Sequence, residues 1–152
     1  MSSWTIDTCI LICSNNFSDV QSESCQKFLN EIAINHRIPL NAEVLKEYEK
    51  KALIKKKGNA AIWFSTMSKK GKIDYKFEPE DAMTDQLRKD LSNQPLPNSI
   101  GNFDIDDIPF VVLSYRTNNK EIASIDIQDG DFSFKLTKWL FDNYSIIFFD
   151  II

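Results

Sequence analysis

Short apolar segments at residues 4–6, 37–40, 121–125 and 145–149 alternate with longer stretches whose apolar residues recur every three or four positions. That alternation constrains the fold more than any other feature of the chain. Strands separated by helices pair in parallel, because each intervening helix carries the chain back to the edge from which the next strand starts. A parallel sheet covered by helices on both faces is therefore expected, in one domain spanning residues 1–152, with ligands bound outside the carboxyl ends of the strands.

The helical stretches carry their own start and stop signals. Residues 20–36 place Cys25, Phe28, Leu29, Ile32 and Ala33 on one face. Asn41 is a good N-cap for a helix over 42–56 with Val44, Leu45, Tyr48, Ala52 and Leu53 inward, and Gly58 is expected to end it. Further helices are expected over 60–67, 79–92, 104–115 with Pro109 in the first turn, and 132–143. The strand at 4–6 is expected to lead directly into the apolar residues that follow Asp7.

With 43% apolar and 26% charged residues in 152, the chain has the size and balance of one globular domain. Four glycines in all, and no GxGxxG or GxxxxGK pattern, remove the common phosphate-loop classes. The three cysteines, Cys9, Cys13 and Cys25, with one histidine, His36, fall short of a zinc set and read as reduced, buried thiols. No segment approaches the roughly 20 apolar residues of a membrane span, and no signal peptide precedes Trp4, so a cytoplasmic location is expected. The net charge of -4 hides a strong asymmetry. Residues 46–76 carry ten lysines against three acids, and residues 77–107 carry eight acids against Arg88 and Lys89. Such a field can steer a polyanion to one face, although the same runs also suit solvated helix ends.

Four acids border the apolar segments: Asp7, Glu47, Asp107 and Asp126. Gathered by the fold, four carboxylates would repel one another unless a hard divalent cation neutralised them. Each also has a plainer reading. Glu47 pairs with Lys51 at i, i+4 spacing, and Asp104 to Asp107 suit a helix N-cap. Asp7 resists the plain reading, since an acid ending a buried strand costs desolvation.

Taken in order, TIDTCILI, VLKEYEK, DIPFVVLS and ASID before GDF resemble the motifs of PIN-domain nucleases, over about residues 5–149. The resemblance implies a three-layer α/β/α fold with a central, mainly parallel sheet of four to five strands. It also implies a Mg²⁺- or Mn²⁺-dependent ribonuclease that hydrolyses RNA phosphodiester bonds. Asp7 and Asp107 would bind the principal ion, with Glu47 and Asp126 acting through water or holding a second one. Thr8, Asp106, Ser124, Asp129 and Asp131 are supplementary candidates, with Asp106 competing for the third position and Asp129 and Asp131 for the fourth; Asp131 is also a candidate cap for the helix that follows. Lys50, Lys51, Lys55, Lys56 and Lys57 would hold the RNA backbone, with Trp63, Phe64 and Tyr75 as stacking platforms, although Ile62, Trp63 and Phe64 also fit a core. Small stand-alone relatives of this kind often serve as the toxin of a toxin/antitoxin pair, so an antitoxin protein and a homodimer are candidate assemblies.

Cys9 stands where that family usually has a small polar residue. It keeps open a second reading, a catalytically inactive PIN-like domain that binds RNA or protein. A receiver or dehalogenase-like phosphatase fits less well, because no second acid follows Asp7 at the required spacing.

Overall fold

The structure, a computed structural model, describes residues 2–76, 80–97, 100–101, 103–125 and 132–152. Among these it contains β1 (Thr5–Ile6), α1 (Thr8–Asn15), α2 (Ser22–Asn35), β2 (Ile38–Pro39), α3 (Ala42–Lys51), α4 (Asn59–Lys69) and β3 (Ile73–Asp74). The second half adds α5 (Ala82–Ser92), a 3₁₀ turn (Ile105–Asp107), α6 (Ile108–Tyr115), β4 (Glu121–Ser124), α7 (Phe134–Tyr144) and β5 (Ile147–Asp150).

The protein is a mixed α/β structure whose strands all pair in parallel. One sheet has the order β1-β4-β5 and a second pairs β2 with β3. Thr5 lies beside Ile122 and Ile6 beside Ala123, while Ser124 lies beside Asp150. Just ahead of β1 and β2, Ser3 and Arg37 form an isolated parallel bridge. Successive side chains of a strand point to opposite faces. Accordingly Ala123 joins one apolar cluster with Ile6, Leu29 and Tyr48, and Ile122 joins another with Leu87, Val111, Leu136 and Leu140. The two clusters thus lie against opposite faces of β4.

Several helix limits differ from the sequence reading, for identifiable reasons. The apolar segment after Asp7, into which β1 leads directly, is a helix. Ile10, Leu11 and Cys13 are buried and the exposed Ile12 is apolar too, so this short helix has no polar face and shows little periodicity. Asn41 caps α3 as expected, its side chain accepting from the Val44 amide at 2.9 Å. That helix nevertheless stops at Lys51, well before Gly58. The cause is Asn15, whose amide donates to the Ala52 carbonyl at 2.9 Å and whose Oδ1 accepts from the Ala60 amide at 2.8 Å. One side chain from α1 thereby satisfies the chain end of α3 and the first turn of α4. Gly58 is the N-cap of α4, and a Cβ there would meet Asn15 Oδ1 at 3.0 Å.

Asp104 caps the 3₁₀ turn, accepting from the Asp106 amide at 2.9 Å, and α6 follows from Ile108 with Pro109 in its first turn as expected. Ser133 caps α7 by accepting from the Leu136 amide. No helix among the described residues is long and apolar enough to cross a membrane.

Candidate functional site

Asp7 follows β1 directly and is the N-cap residue of α1. The residue is 5% exposed, and its carboxylate accepts a hydrogen bond from Ser124 Oγ at 2.7 Å. Ser124 is the last residue of β4, the strand paired with β1, and is fully buried. Because the Ser124 proton points to Asp7, the Cys9 thiol 3.5 Å away acts as donor to Ser124 Oγ. Cys9 therefore belongs to the polar group around Asp7, whereas Cys13 and Cys25 are buried thiols elsewhere in the core. Burial, then the hydrogen bond with Cys13, pushes the Cys25 thiol up to about 12. A thiol so protonated is a poor nucleophile, as expected for a packing residue.

Tyr48 fixes the helix that carries Glu47. Its hydroxyl donates to the Ile6 carbonyl at 2.5 Å across 42 residues of sequence, so α3 is tied to the strand end that presents Asp7. Burial above all, then the negative charge of Asp7, drives the Tyr48 pKa upward. Nothing local marks Tyr48 as part of the site; it reads as one more apolar position on α3.

Glu47 itself is in a different environment. Its carboxylate is 2.6 Å from the Lys51 ammonium one turn later. Hydrogen bonding to Glu47 raises the Lys51 pKa, and the charges of Asp106 and Asp107 push it the same way. Glu47 and Asp106 line a shared cleft of about 380 Å³, with Glu43 and Lys46 on the α3 wall and Ile105 and Pro109 on the other. Asp107 is half-buried at the start of α6, and Asp106 is exposed. Asp126, Asp129 and Asp131 lie outside the described residues.

Asp7 is thus linked to Ser124, and Glu47, Asp106 and Asp107 all act on Lys51. Among the described residues, no three His, Cys, Asp or Glu side chains are close enough to share an ion. Thr8 is buried beside Asp7, and its hydroxyl has no hydrogen-bond partner among the described residues. Asp150, absent from the expected set, ends β5 on the same sheet edge in register with Ser124. Two strand spacings separate it from the β1 end, about 10 Å. Its signal was present in the sequence, since IIFFD, like TID, is an apolar run closed by an acid.

Lys50, Lys51, Lys55, Lys56 and Lys57 are all exposed, with Lys51 held by Glu47. Trp63 is not a stacking platform: it is 4% exposed, and its indole N–H donates to the Leu29 carbonyl at 2.7 Å. Phe64 packs against the same core, and Tyr75 is exposed. Ile62, expected inside, faces solvent, because α4 turns only Ala60, Trp63 and Met67 fully inward.

Compared with models of known families, with characterised proteins and with solved structures, the chain matches none.

Proposed function

We propose that this protein is a divalent-cation-dependent endoribonuclease of PIN-like architecture, with Asp7 at the centre of its site. The observation that carries this reading is the placement of Asp7 and Ser124. Through the Ser3–Arg37 bridge the two sheets can be read as one, in the order β3-β2-β1-β4-β5 between two helical layers. In that order the chain leaves β1 toward β2 on one side and β4 toward β5 on the other. The β1/β4 crevice is then the topological switch point, where open parallel sheets bind ligands. Asp7 and Ser124 flank its carboxyl end. Keeping a carboxylate buried there costs desolvation that a neutral residue would avoid, which favours a functional reason for the acid.

The donor chemistry fits a hard cation, since every candidate ligand is a carboxylate oxygen. Asp7 and Asp107 would hold Mg²⁺ or Mn²⁺, with Glu47 and Asp126 completing the set, and Asp126 follows β4 by two residues. Such an ion, when bound, supplies an activated water and offsets charge on the phosphate. The chain's own contributions are the orientation of Asp7 by Ser124 and the docking of α3 by Tyr48. Exposed Lys50, Lys55, Lys56 and Lys57 would attract the RNA backbone. The role of toxin beside an antitoxin protein belongs to the same reading.

One observation favours the second reading, an inactive module that binds RNA or protein. The Lys51 ammonium sits on Glu47 and within the field of Asp106 and Asp107, supplying the positive charge a divalent ion would bring. Cleavage of a structured RNA by purified protein separates the two. The nuclease reading expects strand scission with Mn²⁺ or Mg²⁺ that Asp7→Asn abolishes. Scission that survives the substitution, or none with any ion, overturns it.

A further inference from the structure

The two outer strands of the parallel array are treated very differently by the sequence. β3 (Ile73–Asp74) is surrounded by Lys69, Lys70, Lys72 and Lys76, the charged flanks that keep an exposed edge from pairing with another chain. β5 (Ile147–Asp150) has no lysine flanks, since residues 139–152 contain no lysine or arginine, and Asp150 at its end is its one charged residue. Its outer side is free among the described residues. On the inner side the Ile147 amide donates to the Lys120 carbonyl at 2.8 Å and the Ile151 amide to the Ser124 carbonyl at 3.3 Å. Alternation along a strand then turns the backbone groups of Phe148 and Asp150 outward, where a further strand could take them.

Apolar side chains flank this edge on both faces of the sheet. Ile147 and Phe149 are 43% and 45% exposed, and Phe149 lies over Trp4 and Phe28. On the opposite face Phe148 packs on Phe132 and borders a groove of about 490 Å³ whose walls include Phe134 and Phe141, 70% and 55% exposed. At about 200 Å² for each aromatic side chain, these four exposed residues present on the order of 400 Å². That is half of the roughly 800 Å² each partner contributes to an interface of standard size.

We propose that this edge is a self-association surface, with β5 of one copy pairing antiparallel to β5 of a second copy across a two-fold axis near Phe149. In that register Phe148 of one copy lies opposite Asp150 of the other. The outward backbone groups meet, the two Phe149 rings become cross-strand neighbours, and the two Asp150 carboxylates do not face each other. The charge pattern favours a second copy over a polyanion. The groove carries one lysine and one acid, Lys138 and Asp142, joined at 2.8 Å. The groove is thus neutral, and the edge as a whole carries one uncompensated charge, Asp150, which repels a polyanion and which the two-fold register keeps from facing its counterpart. The surface is distinct from the Asp7 site and does not depend on the nuclease reading.

Sedimentation equilibrium of the full chain tests this directly, over about 1 to 100 µM, a range matched to micromolar association. The wild type is expected to dimerise there. Phe149→Lys should weaken association about a hundredfold, since each dimer would then bury two unpaired like charges. Phe141→Lys, on a solvent-exposed helix position, should weaken it as well and guards against a Phe149→Lys chain that fails to fold. In a Cys9→Ala background, Phe149→Cys should give a disulfide-linked dimer on treatment with diamide, because opposed residues of such a pair approach to about 4.5 Å between Cα atoms. Tyr75→Cys, beside the lysine-flanked edge, should not. A monomeric wild type throughout, a dimer indifferent to both lysine variants, or linking through Tyr75→Cys rather than Phe149→Cys would each overturn the proposal.

Discussion

Asp7 and Glu47 are both candidate ligands, yet the partners that meet their carboxylates share almost nothing. Asp7 is 5% exposed, and its oxygen is met by a fully buried serine from the neighbouring strand. Glu47 is met by a lysine one turn along its own helix, with Lys51 42% exposed at the side chain. The first arrangement needs a tertiary fold to exist; the second forms in any helix with that spacing. An acid whose partner comes from 117 residues away therefore says more about selection for a site than one whose partner is local.

The sharpest way to break this contrast is to neutralise Asp7. Asp7→Asn keeps the shape and the acceptor for Ser124 while removing a buried charge. RNA cleavage should fall about a thousandfold or more, as when a group that stabilises transition-state charge is removed. Metal-free stability should hold or rise by about 1 kcal/mol, measured by thermal melting. Falling stability with unchanged cleavage would make Asp7 a structural residue like any other.

Ser124→Ala addresses the same side of the comparison one step out. Loss of the hydroxyl that orients Asp7 should weaken Mn²⁺ affinity about 10- to 100-fold, the usual cost of losing such a support. Equal affinity in calorimetry would show that Ser124 only fills space.

How much of this was legible in the chain depends on whether the cause was local. Asn41 and Pro109 announced the starts of α3 and α6 because caps and first turns are written in neighbouring residues. The end of α3 was not legible. It is set by Asn15, whose two hydrogen bonds reach Ala52 and Ala60, 37 and 45 residues away. α1 was not legible as a helix because its outward position, Ile12, is as apolar as its buried ones, so no polar face marks the period. In the candidate site, Asp7 was recognisable as an acid closing an apolar run. Its link to Cys9 through Ser124 and the Tyr48 bond to Ile6 join residues too distant for any spacing to reveal.

Tyr48 tests the link between the two acids. Tyr48→Phe leaves the Ile6 carbonyl buried without that donor and should cost about 1 to 3 kcal/mol in denaturant unfolding. The pH dependence has a definite sign. Burial raises Tyr48 and Tyr144 in the fold, and the hydrogen bond with Asp90 adds to Tyr144. Cys25 is likewise raised, to about 12. Above about pH 8.5 for the thiol and pH 10 for the phenols, the unfolded chain releases protons that the folded one keeps, so stability falls as pH rises. Thermal melting should be steady from neutral pH up to that point and decline beyond it, and Tyr48→Phe should flatten the decline above about pH 10. A melting temperature that rises into alkali would contradict these burials.

Glu47→Gln is expected to produce the smallest change in stability, within about 0.5 kcal/mol, since a partly exposed i, i+4 pair contributes little. A larger loss in thermal melting would mean that the Lys51 pair is structural and that the two acids are more alike than their surroundings suggest.

The central claim is that Asp7 anchors a divalent cation, and calorimetric titration of the metal-free protein with Mn²⁺, beside the same titration of Asp7→Asn, tests it most directly. The account predicts a saturable site in the wild type that the substitution removes while the circular dichroism spectrum stays the same. A wild type that binds no Mn²⁺, or a variant that binds it equally well, would contradict it.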